Sequence, residues 1–211
     1  GEAMEEQHVS GAPRKMFVLA AQVAAHLHSA TKLAKHLSLT AKNARAITSR
    51  AGQAVSGFTA ITGFIQELAT TMIHLSQKID HVAVAIAMHA AQMERTKQAN
   101  KALSLVRELA KGSEYVQSIS PFLAKAAETS EQLEHEFAKM LHELIDLVEQ
   151  TRMQIRSAEV ISTMSKIEAS KAGEYEESLH AVTHNIPIQR LRSVESWKVP
   201  KVYCQRHRGT G

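Results

Sequence analysis

A chain of 211 residues has room for one or two domains and a sizeable core. Only 4% of it is aromatic against 44% apolar in all, so Ala, Leu, Ile, Val and Met must do the packing. That composition suits thin helical bundles and argues against a sheet-rich core. The formal charge of +4, from 25 Lys+Arg against 21 Asp+Glu, is mild. Much of the excess falls after Pro187, so no nucleic acid is expected as a partner.

Helix breakers are sparse. The prolines are Pro13, Pro121, Pro187 and Pro200, and between Gly63 and Lys111 no second glycine occurs. In chain order, the first periodic segment runs Met16, Ala20, Val23, Leu27, Ala30, Ala34, Leu37, Ala41, Ala44 and Thr48, in alternating steps of four and three. An average step of 3.5 residues keeps one seam turned to a partner helix. An alanine-rich seam packs closely but buries little area per residue, so it needs a partner with larger side chains.

Ala51–Gly57 follows, short enough that the helices on either side must be antiparallel neighbours. The return arm starts at Phe58 and repeats through Ile61, Ile65, Leu68, Met72, Leu75, Ile79, Val82, Ile86, His89 and Met93. It then continues through Thr96 and Asn100 to Leu103, where polar seam positions set register or mark a splaying of the arms. The reversal near Gly52 and Gly57 is expected to bring Leu37 and Phe58 close together. Gly112 and Ser113 are the expected stop.

Ser113–Ile119 reads as a short piece of its own, and Ser120-Pro121 as the start of a third long helix, with proline at the first helical position. Phe137, Leu141, Leu144, Val148, Thr151, Ile155 and Ala158 carry that helix toward Ala172-Gly173. A last helical piece, Glu174–His184, should stop before Pro187. From Ile188 the chain is Arg-rich, with Trp197, Pro200 and Tyr203 and no apolar period, and is expected to be extended or disordered. The expected organisation is an N-terminal extension (1–14), a helical hairpin (15–111, tip 51–57), additional helices that pack on or extend the bundle (112–186), and a basic tail (187–211). The fold class is all-α: a long antiparallel coiled-coil hairpin with C-terminal helices.

Catalytic and metal chemistry find little support. His74 and His81, like His135 and His142, are seven apart, or roughly 10 Å along a helix, too far to share one zinc ion unaided. His135-Glu136 with His142 lacks the H-E-x-x-H spacing. No nucleophile–base constellation stands out. Met88, Met93, Met140, Met153 and Met164 read as core filler. Neither catalysis, cofactor nor metal is expected. The lone Cys204 excludes an intramolecular disulfide. The longest apolar runs, Met16–Ala21 and Val82–Met88, fall well short of the roughly 20 residues that span a bilayer, and a cytoplasmic location is expected. The basic tail offers charge to an acidic partner, a membrane surface or nucleic acid, or is simply solvated.

Asn43-Ala44, Arg50-Ala51-Gly52, Gly57-Phe58, Ile61, Ile65 and Leu68-Ala69 fall without a gap on a known pattern. Over Asn43–Ala69 the chain resembles the signalling tip of methyl-accepting chemotaxis proteins, the bacterial chemoreceptors. The most specific piece is R-A-G-x-x-x-x-G-F. The resemblance implies a signal-transduction module that binds a CheA-type histidine kinase, a CheW-type adaptor or other chemoreceptors through its tip. It implies contact roles for Asn43 and Arg50, with Gly52, Gly57 and Phe58 forming the turn. Family glutamates fall on Ile47 and Gln53, the second arginine on Ser56, and the acidic pair on Gly63-Phe64. Those departures imply a divergent, soluble relative with its own partner; a purely structural scaffold is the alternative. Homodimerisation stays open, because the helices after Pro121 could complete the bundle within one chain.

Overall fold

The computed structural model describes residues 12–195. Three long helices dominate: α1 (Ala12–Ala51), α2 (Ser56–Leu109) and α3 (Val116–Ser170), followed by the short α4 (Glu176–His184) and α5 (Ile188–Glu195). The 3-10 turns Gly52–Val55 and Gly173–Tyr175 join α1 to α2 and lead into α4. Among the described residues there is no strand. The protein is an all-α helical bundle, as the heptad spacing predicts.

Two compact units emerge, each fed by all three long helices. One takes residues up to Ala25 with Ile79–Leu144; the other takes His26–Lys78 with Ile145 onward. In the first unit Ile79, Val82, Ile86 and Ala90 of α2 are buried, as are Leu133, Phe137, Leu141 and Leu144 of α3. His89 Nε2 lies 3.1 Å from Glu136 Oε2 without the alignment of a hydrogen bond. Asn100 Nδ2 donates to Ser130 Oγ at 2.8 Å. Asn100 thus finds a hydrogen-bond partner on α3, and His89 faces a polar side chain there; such polar layers fix register between helices.

The second unit holds two apolar clusters. In one, Leu33, Ala34, Leu37 and Ala41 of α1 meet Ile61, Ile65, Leu68 and Met72 of α2, with Ile155 and Ala158 of α3 and Ile186 and Leu191 closing over them. The alanine-rich stripe therefore finds larger partners, which offsets the small area each alanine buries. Buried hydroxyls are satisfied locally: Thr62 Oγ1 donates to the Phe58 carbonyl at 3.0 Å and Ser165 Oγ to that of Ile161 at 2.7 Å.

Several expectations need correction. Pro121 lies inside α3, not at its start. Ser118 and Ile119 N–H already donate to the Tyr115 carbonyl, so the helix begins upstream. Proline removes only the bond to Gln117 there, in an exposed stretch near the helix end. Ile188–Glu195 is helix, not extended chain, and Leu191 is fully buried. Its apolar signal, Ile188 and Leu191 three apart, is a single turn and too short to register as a period. Met88, Met153 and Met164 are exposed rather than core filler. Leu37 and Phe58 fall in different apolar clusters, Leu37 with Ile61, Ile65, Leu68 and Met72, Phe58 with Ala44 and Val55. The side chains of Met16, Ala20, Val23 and Leu27, and all of Trp197, Pro200, Tyr203 and Cys204, lie outside the described residues.

Candidate docking surface at the hairpin reversal

The reversal begins where α1 ends at Ala51. Gly52 has φ +63°, the left-handed region that L side chains avoid, so the glycine here is a backbone requirement. The 3-10 turn Gly52–Val55 follows, and the Ser56 N–H donates back to the Gln53 carbonyl as α2 starts. Val55 turns inward and is buried. Thr59 Oγ1 donates to the Val55 carbonyl at 3.2 Å, tying the first turn of α2 to the loop.

Phe58 is 1% exposed. It sits in the second apolar cluster with Ala44, Val55, Ala169, Ala172, Leu179 and Val182, and half-buried Ile47, Ala51 and Tyr175 pack against them. The end of α3 and all of α4 thus close the inner side of the reversal. Phe58 plugs the bundle end and presents nothing to a partner.

Gly57 answers to a different constraint. It is helical, and a Cβ there would overlap the carboxylate of Glu168 on α3. Glu168 is held by Lys171, Nζ to Oε1 at 3.4 Å, a surface pair of small energetic weight. Only the far end of a flexible side chain stands in the way, so Gly57 is not required by the backbone as Gly52 is.

What remains for contact is the outer rim. Asn43, Arg50 and Gln53 are exposed, and Ile47 is half-buried. Arg50 lies in the last turn of α1, where a cation complements the partial negative charge of the helix end. The rim offers two amides and a guanidinium, all able to donate hydrogen bonds, with no carboxylate among them. The structure leaves Asn43, Arg50 and Gln53 exposed toward the end of the hairpin, while Phe58 is buried, Ile47 packs against its cluster, and Gly52 makes the turn. Sequence reasoning missed Glu168 over Gly57 and the closure by α4. The steps Leu179, Val182 and Ile186 were the available signal for the latter.

Elsewhere in the second unit an open groove of about 770 Å³ lies between α3 and the α4–α5 link, lined in part by Val160, Met164, Pro187 and Ile188. Among the described residues no group of three His, Cys, Asp or Glu side chains could hold a metal ion. His74, His81, His135 and His142 are all exposed. No helix of the described residues is long and apolar enough to cross a membrane. Comparison with protein-family models, with curated proteins and with solved structures finds no match to this chain.

Proposed function

We propose that the chain is a chemoreceptor-like signal-transduction module that docks partner proteins through the outer rim of its hairpin tip. The observation that carries this reading is the gap-free tip resemblance over Asn43–Ala69, joined to a glycine reversal that leaves Asn43, Arg50 and Gln53 exposed. The partners it implies are a CheA-type histidine kinase, a CheW-type adaptor or another chemoreceptor. Nothing is chemically transformed by the chain in this reading. Long seams rich in alanine can hold two packings of similar energy, and a shift between them would pass the signal along the helices.

A pull-down with the kinase and adaptor as separate baits tests the proposal. Arg50→Ala should lower retention by about tenfold or more, the loss expected when a central charged contact is truncated. Its helical circular dichroism should match wild type, because Arg50 is exposed. Equal retention of wild type and variant, or none of either, removes the tip from the docking role.

A second reading, a structural scaffold without chemotaxis partners, is favoured by one observation. Ala44, Val55 and Phe58, apolar positions that a second hairpin could cover, are already covered by Ala169, Ala172, Leu179 and Val182 of the same chain. A scaffold would bind neither bait.

A further inference from the structure

The mild net charge conceals a strong segregation. α1 carries seven of the 25 basic residues and none of the 21 acidic ones; the first carboxylate side chain after Glu6 is Glu67. At 100° per residue, Lys32, Lys35, Lys42, Arg45 and Arg50 fall within an arc of about 140°. That arc faces away from Ala34, Leu37, Ala41 and Ala44, which are buried in the bundle. All five cations are exposed, and none has an ion-pair partner among the described residues. From Lys32 to Arg50 the row spans about 27 Å of helix.

A second element lies against α1. α5 packs through Leu191 into the same cluster as Leu33 and Leu37 of α1. The His36 Nε2–H donates to the Asn185 carbonyl at 2.9 Å, fastening α1 to the link that precedes α5. α5 presents exposed Arg190, while its other arginine, Arg192, is taken by Glu159 at 2.8 Å. α5, packed against α1 through Leu191, thus adds one exposed cation, Arg190, which also borders the groove lined by Glu159.

We propose that this face of α1 binds the phosphate backbone of double-stranded nucleic acid without reading its sequence. An unbroken row of Lys and Arg along one helix face, in a chain of pI near 9.2, is the electrostatic footprint of phosphate recognition. The row covers about eight base pairs at 3.4 Å each. Insertion into a membrane is disfavoured, because the apolar side of α1 is already spent on the core and only Leu39 stands exposed among the cations. An acidic protein partner would need an apolar centre to hold it, and one leucine supplies little of that. The proposal is independent of tip docking: Arg50 belongs to both surfaces, but Lys32, Lys35 and Lys42 belong only to this one.

Fluorescence anisotropy with the full chain and two 20-base-pair duplexes of unrelated sequence tests it. Both duplexes should bind equally, and with about five phosphates neutralised, log K should fall against log salt with a slope of about −5. The double variant K35E/K42E should weaken binding by about tenfold or more and flatten that slope by roughly two or more. Lys139→Glu, on exposed α3 outside the face, should leave it unchanged. The proposal is overturned by no duplex binding at about 50 mM salt, or by K35E/K42E binding like wild type, which would assign the activity to the C-terminal tail. It is equally overturned if poly-glutamate competes as well as duplex per charge, or if anionic phosphatidylserine vesicles bind with the same variant dependence and duplex does not.

Discussion

The two compact units use the same three helices and the same three–four spacing, yet they finish differently. The unit containing the reversal closes its apolar seam: Phe58, Leu37, Ile61, Ile65 and Met72 are all almost fully buried. The other unit keeps His89 and Asn100 in its seam and leaves Leu105, Leu109, Tyr115 and Phe122 exposed near the α2–α3 connection. What differs is the supply of covering elements. The α4–α5 segment brings Leu179, Val182, Ile186 and Leu191 to the unit with the reversal, and among the described residues no comparable short helix belongs to the other. A heptad seam decides where apolar groups point; burial depends on whether something else arrives to cover them.

The largest expected effect breaks the comparison if it fails. Phe58→Ala should cost about 3–5 kcal/mol in urea unfolding, since a large side chain leaves a cavity that helices cannot easily close. Leu109→Ala, at 81% exposure, should change stability by less than about 0.5 kcal/mol. Similar costs at the two sites would mean that the units are not packed as differently as their burial indicates.

Next in size is the turn. Gly52→Ala forces an L side chain into φ +63° and should cost roughly 1–2 kcal/mol, although the space around that Cβ is open. A cost near zero would mean that the reversal relaxes into another turn type, which a shift of the Gln53 and Ser56 amide resonances would report.

The smallest effect sharpens the polar side of the comparison. Asn100 gains one hydrogen bond from Ser130, while its Oδ1 is buried without a partner. Asn100→Leu should therefore raise stability by about 1 kcal/mol while loosening register, the exchange that polar seam residues make. A loss of stability would show the Asn100–Ser130 layer to be a net contributor to the fold.

Much of the architecture was legible before any coordinates. The spacing from Phe58 to Met93 marked α2, and the seam from Ala30 to Thr48 marked the packed part of α1. Gly52 was picked out as part of the reversal because glycine tolerates a backbone conformation that other residues resist. The tip residues were legible as residues but not as roles. Phe58 and Arg50 sit in one short motif, yet the first is a plug and the second a surface cation. Pro121 misled because proline usually marks a helix start, whereas here the backbone bonds to Tyr115 had already begun the helix.

The sequence by itself determined the three long helical segments, where the chain turns back, and that α1 holds no acid. Only the tertiary structure decided which face of each helix is covered, and so that Leu191 belongs to the core, that Met88 and Met153 do not, and that the lysines of α1 stay exposed. Periodicity is a local property of the chain and names the residues on a common stripe. Covering that stripe takes contacts between segments far apart in sequence, and those are set by helix register and by the residues α4 and α5 bring back.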